Sequence, residues 1–174
     1  MLDSAVGPRS RGGIGWASET CIAGLVLSIL SAFEFDDDRL ERFVDHLLAE
    51  QMSDGGWNCQ YRRGAHHASM NTTILALEAL VRYERHRAEQ ARMLTAVREA
   101  QLRGGEFLLV HHLYRSHRTG EVIQRNFVRF AFPPHWHFDV LRGLDYFRDV
   151  GADRDSRLAD AIDLVRSKRG YDGR

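Results

Sequence analysis

The stretch Gln51-Met52-Ser53-Asp54-Gly55-Gly56-Trp57-Asn58 constrains this chain more than any other. It closes a pattern in which Leu40, Phe43, Val44, Leu47, Leu48 and Gln51 follow the i, i+3, i+4, i+7, i+8, i+11 spacing of a surface helix. Gly55 and Gly56 can take the left-handed backbone that stops a helix. Asp54 is suited to hydrogen-bonding its own turn, and Trp57 offers a wide flat surface for packing. One helix therefore ends here, and Trp57 anchors the next.

The rest of the chain reads as helices of two alternating kinds. Those of the first kind are apolar nearly all round. Ile22, Leu25, Leu27, Ile29, Leu30 and Phe33 form one, and Ile74, Leu75, Leu77, Leu80 and Tyr83 the next. Helices apolar on every side are expected to be covered on every side. A third, from about Trp136 to Val150, keeps Phe138, Val140, Leu141, Leu144 and Phe147 but is more polar. Helices of the second kind carry a single stripe: the Leu40–Gln51 pattern and Leu158, Ala161, Ile162 and Val165. Between them a long pattern runs from about Glu89 to His117, weakened at Gly104-Gly105, where the residues leave open whether the helix bends or breaks.

The stripes repeat. Asp37, Arg39, Leu40, Val44, Asp45, Asp54 and Gly55 recur at one constant offset as Asp155, Arg157, Leu158, Ile162, Asp163, Asp172 and Gly173. Thr119-Gly120-Glu121 falls where a third, degenerate copy would close the middle stripe. Three helical hairpins of this kind predict an all-α stacked or closed array. The expected division is an extended N-terminal segment over 1–17 and a repeat domain over 18–174. That domain stops at Asp172-Gly173-Arg174, where the first copy reaches its Trp, so it reads as incomplete at its C-terminus.

At 174 residues the chain is long enough to bury roughly 70% of its unfolded surface. Its 24 basic and 24 acidic residues cancel, which argues against a nucleic-acid or anionic-membrane binder. Lys168 is the one basic residue that is not Arg, a bias that fits a GC-rich bacterial genome. Two cysteines do not make a disulfide framework, so a reducing cytoplasm is the expected compartment. The apolar run from Cys21 to Phe33 is too short to span a bilayer.

Gln51, Asp54, Gly55, Gly56 and Trp57 resemble the glutamine–tryptophan repeat of squalene and oxidosqualene cyclases. The alternation of helices resembles the α/α toroid that those cyclases share with protein prenyltransferase β subunits. Gly55-Gly56-Trp57-Asn58-Cys59 and Phe132-Pro133-Pro134-His135-Trp136-His137-Phe138-Asp139 resemble bacterial prenyltransferase and squalene oxidase repeat proteins. The resemblance implies a partial toroid of about three inner and outer hairpins and a greasy, isoprenoid-like substrate in its cavity. It also implies a partner for the exposed inner helices, either the remaining half of the toroid or a second copy. Class II cyclases protonate with an Asp-x-Asp-Asp motif. The nearest string here, Glu34-Phe35-Asp36-Asp37, lacks the first Asp and reads as a polar turn capping the next helix.

Chemistry-bearing residues gather at the starts of the apolar helices: Glu19 and Cys21; Cys59, His66 and His67; His135, His137 and Asp139. Glu19, His66, His67, His137 and Asp139 are candidates for proton transfer. Trp16, Trp57, Tyr83, Trp136 and Phe138 are candidate lining for an apolar substrate, since aromatic faces stabilise carbocations. Arg62 and Arg63 are candidates for holding a diphosphate bidentately. In protein prenyltransferases zinc is held by an Asp-x-Cys pair and a His. The resemblance implies Glu19-x-Cys21 as the pair, Cys21 with His66 or His137 as ligands, and Zn as the metal. Against this, Cys21 at the head of an apolar run also suits a buried small hydrophobe, and Cys59 in a polar loop a free thiol. The competing expectation is a non-catalytic helical-repeat module that binds a lipid or a protein partner.

Overall fold

A computed structural model describes residues 19–87 and 93–169, and these are all-helical apart from turns and one isolated bridge between Arg115 and Val122. Six α-helices lie among them: α1 (Thr20–Ala32), α2 (Leu40–Ala49), α3 (Met70–Arg87), α4 (Leu94–Val110), α5 (Val140–Asp149) and α6 (Ala159–Ser167). The all-α expectation is met. The N-terminal segment over 1–17, with Trp16, and the terminal Asp172-Gly173 of the second repeat copy lie outside the described residues. The chain divides into two compact units, Met1–Gly105 and Glu106–Arg174, with the boundary inside α4.

In the first unit α1 packs chiefly on α3 and secondarily on α2. The α1–α3 contact is made by small residues. Ala23, Gly24, Ser28 and Ser31 turn inward with Leu27, and a Cβ on Gly24 would sit 3.1 Å from the carbonyl oxygen of Leu75. The large side chains face the other way: Ile22, Leu25 and Ile29 are 46%, 42% and 46% exposed. Expected to be covered on every side, α1 is covered by α3 and α2 and leaves the flank of Ile22, Leu25 and Ile29 open. α3 meets the expectation, with Ile74, Leu77, Ala79 and Leu80 all fully buried.

The turn after α2 is held by its motif residues. Gly55 has φ +94, and a Cβ there would fall 2.5 Å from the Arg103 carbonyl, so both conformation and space demand glycine. Gly56, also buried, is not left-handed. Gln51 donates through Nε2 to the carbonyls of Gly55 (2.7 Å) and Ala100 (2.9 Å), tying the turn to α4. Asp54 bonds not its own turn but the amide of Ala68 across the loop, at 2.8 Å. Trp57 is fully buried, and its indole N–H donates to the Leu47 carbonyl at 2.6 Å.

α4 settles the Gly104-Gly105 question. The helix runs through both, and Gly104 leaves the space that the Trp57 ring fills; a Cβ there would lie 2.6 Å from Trp57 Cζ3. The helix is shorter than the 89–117 pattern, since His112 and Leu113 turn left-handed beyond its end.

In the second unit α5 packs on α6, and Phe127 meets Phe138 edge to face at 5.2 Å. α5 starts at Val140 rather than near Trp136, because Asp139 caps it: Oδ1 accepts from the amide of Arg142 at 2.9 Å. His135 and Asp139 therefore share no helical face; His135 has φ +49 and lies in the preceding loop.

The repeat is structural as well as sequential. Asp37 and Asp155 each accept from the amide two residues on, at 2.8 and 2.9 Å, and each is gripped by the guanidinium of that same residue, Arg39 or Arg157. Leu40 and Leu158 come next, both buried. Glu34-Phe35-Asp36-Asp37 is the polar connection between α1 and α2, with Asp37 binding the turn that starts α2.

Candidate metal centre

Three donor atoms converge at the N-terminus of α1. A sulfur from Cys21, a sulfur from Cys59 and a carboxylate oxygen of Glu19 all lie within 4.8 Å of one another, each residue half-buried. Cys21 Sγ is 3.8 Å from Glu19 Oε2. The convergence has a local cause. Glu19 caps α1 with its carbonyl, which accepts from the amides of Ile22 and Ala23, and this sets Glu19 and Cys21 on the first turn. Cys59 arrives from the loop behind the buried Trp57. The amide of Trp57 donates to Thr73 Oγ1 at 3.0 Å and that of Cys59 to Thr72 Oγ1 at 3.3 Å, so the first turn of α3 holds the loop at both points. α3 packs on α1, and the three donors meet.

The electrostatics favour a cation. The Cys21 thiol is pushed up from 9.0 to about 11, most by burial, then by Cys59 and the Glu19 carboxylate; the amide of Ile22 opposes this but does not prevail. Without a cation Cys21 is therefore held as the neutral thiol. Arg63 approaches Glu19 Oε1 at 3.4 Å, which leaves Oε2 turned to Cys21 and orients the carboxylate as an outer partner does at a metal site.

The donor set fits zinc. A tetrahedral zinc with bonds of about 2.0–2.3 Å separates its ligand atoms by roughly 3.5–3.8 Å, so closing this group requires shifts on the order of 1 Å. Among the described residues the group offers three donors, one oxygen and two sulfurs, where a tetrahedral zinc takes four ligands.

Of the residues expected at a metal, Glu19 and Cys21 lie in this donor group together with Cys59, and His66, His67 and His137 lie outside it. His66 and His67 are exposed in the loop before α3, where the carbonyl of His67 accepts from Asn58. His137 belongs to the second unit and stacks on Trp136, ring centroids 3.8 Å apart. Asp139 is buried with both oxygens engaged, by the amides of Arg142 and Ala131 (3.0 Å), and caps the start of α5. Cys59 reads as a loop thiol in the sequence. The signal that could have found it is its place two residues after the Trp that sets the loop.

The aromatic residues are similarly sorted. Trp57, Tyr83 and Phe138 are at most 1% exposed and pack in the cores, while Trp136 is 54% exposed. Arg62 is paired with the buried Glu50 at 2.9 Å. A cavity at the opposite end of α1 is lined by Ser31, Ala32, Glu34, Arg82, Arg85 and His86, without Phe, Tyr or Trp. Among the described residues no helix is long and apolar enough to cross a membrane. Comparison with known families, curated proteins and solved structures returned no match.

Proposed function

We propose that this chain is a helical-repeat protein of the prenyltransferase and cyclase kind, whose first unit carries a zinc centre on Glu19, Cys21 and Cys59. The observation that supports this is the convergence of those three donors at one helix start. A zinc ion bound there supplies a Lewis acid and lowers the pKa of a thiol or water in its open position. Glu19 would balance charge and orient the site, and Arg63 would hold Glu19. The substrate class implied by the resemblance is an isoprenoid or similar apolar chain, and the expected setting is a partial toroid completed by further repeats or a second copy.

Two measurements on the purified chain test this reading. Elemental analysis should find zinc near one equivalent, lost in Cys59→Ser and Cys21→Ser and kept in His66→Ala and His137→Ala. Organic extraction should release an isoprenoid-class lipid. A chain that neither carries nor binds zinc sinks the metal centre.

The outward flank of α1 favours a second reading, a non-catalytic module for a lipid or protein partner. Ile22, Leu25, Ile29 and Phe33 form an exposed apolar strip of the kind that marks interaction sites. This reading gains if the zinc-free chain still binds lipid or associates through α1.

A further inference from the structure

Cys21 and Cys59 stand in a relation that needs no metal. Both are free and half-buried, and their sulfurs lie within 4.8 Å of each other. Neither sulfur is brought there by a floppy segment. Cys21 is fixed on the first turn of α1, and the backbone of Cys59 is pinned by Thr72 while Trp57, two residues earlier, is pinned by Thr73 and locked in the core. A disulfide bond is about 2.05 Å long, and rotation of one cysteine side chain covers most of the remaining separation. Cys59 sits beside the exposed residues Gln60 and Tyr61, so a small reagent reaches this loop from solvent.

We propose that Cys21 and Cys59 form a reversible oxidation site that closes to an intrachain disulfide by exchange with a small-molecule disulfide, and that this closure and metal binding exclude each other. The Cys59 thiolate attacks one sulfur of the reagent R–S–S–R, forming a Cys59–S–S–R bond and expelling R–S⁻, which takes up the proton that Cys59 lost. The Cys21 thiolate then attacks the Cys59 sulfur, forming the Cys21–Cys59 bond, breaking the bond to R and expelling a second R–S⁻, which takes the proton of Cys21. Two protein thiols are oxidised and one external disulfide is reduced to two thiols. The product keeps Glu19 but removes both sulfur donors, so it has no zinc site. The cross-link also joins the start of α1 to the far side of the α1–α2 hairpin, which restricts the unfolded chain.

The test uses the full chain, stripped of metal and incubated with oxidised glutathione, then analysed by intact mass and peptide mapping. The expected result is a species lighter by two hydrogens, with Cys21 and Cys59 in one cross-linked peptide, restored by dithiothreitol. Cys21→Ser and Cys59→Ser should instead each hold one glutathione as a stable mixed disulfide. Chain that carries zinc should cross-link at least ten-fold more slowly. Wild type that accumulates glutathione adducts on both cysteines, or only cross-links between molecules, overturns the proposal. Zinc-bearing chain that closes as fast as metal-free chain overturns the mutual exclusion. Cross-linking without any zinc binding sinks the metal reading and with it the mutual exclusion, leaving the oxidation site standing, and zinc binding without cross-linking sinks the oxidation site alone.

Discussion

Arg157 donates to both carboxylate oxygens of Asp155, at 3.0 and 2.8 Å, while its own amide reaches Oδ1 at 2.9 Å. Arg39 treats Asp37 in the same way. These guanidinium and amide bonds hold both carboxyls well below 3.8, at about 2. A carboxylate depressed in the folded state contributes stability that is present above its unfolded pKa and is lost as pH falls through the folded one. Urea unfolding of wild type should therefore weaken between about pH 4 and about pH 2. An Asp37→Asn, Asp155→Asn double variant should show a shallower acid slope. Superimposable acid profiles would refute the assignment.

Gly104→Ala places a methyl carbon against the Trp57 and Leu77 side chains at 2.6 and 2.8 Å. Trp57 is enclosed and hydrogen-bonded, so it cannot swing away, and the expected cost is about 1–3 kcal/mol. Trp57→Phe vacates part of that space while losing the bond to Leu47. The double variant should thus be less destabilised than the sum of the singles, a coupling readable from chemical denaturation.

Gln51→Met keeps length and removes three bonds, the two that Nε2 donates to the carbonyls of Gly55 and Ala100 and the one that Oε1 accepts from the Arg103 guanidinium. Loss of a partner for part-buried acceptors costs about 1–3 kcal/mol. Gln51→Glu turns a carboxylate oxygen toward the Gly55 and Ala100 carbonyls but keeps an acceptor, now charged, for the Arg103 guanidinium, so it should be less destabilised than Gln51→Met. Equal denaturation midpoints for the two variants would contradict that acceptor role.

In metal-free chain Cys21 should alkylate slowly. Its pKa is raised from 9.0 to about 11, so near pH 8 its thiolate fraction falls roughly 100-fold below that of an unshifted thiol. Timed iodoacetamide labelling with peptide mapping reads this directly. Labelling of Cys21 at the rate of a free cysteine would show that the thiol is not held in its protonated form.

Zinc should raise the thermal midpoint of wild type, since a ligand that binds only the folded chain stabilises it by about 4 kcal/mol at a thousand-fold excess over Kd. The gain should vanish with chelator and in Cys59→Ser. Zinc-induced stabilisation that survives Cys59→Ser would place the ion elsewhere.

What was legible in the sequence was periodicity and punctuation. The Gln51–Trp57 string and the Asp37/Asp155 repeat both act within a few residues of themselves, so their spacing carries their structure. That chemistry-bearing residues gather at or before the starts of the apolar helices was also visible, with Glu19 and Cys21 at one and Cys59, His66 and His67 at the next. That Cys59 rather than His66 reaches Cys21 was not, because it depends on two threonines of α3 gripping a loop from a distance in the chain. The burial of Tyr83 and Phe138 was likewise hidden: an aromatic at helical spacing looks the same whether it fills a core or lines a cavity. The outward turn of Ile22 and Leu25 depends on which side α3 approaches, and that is decided by Gly24.

The small-residue contact of α1 with α3 inverts the usual map of tolerance to substitution. On this helix the bulky Ile22, Leu25 and Ile29 have solvent beside them for a polar replacement, whereas a methyl added at Gly24 would stand 3.1 Å from the Leu75 carbonyl oxygen and make the two helices give way by a few tenths of an ångström. Along α1 the packing is therefore more sensitive to an added methyl on the plain side than to a change of side chain on the greasy one.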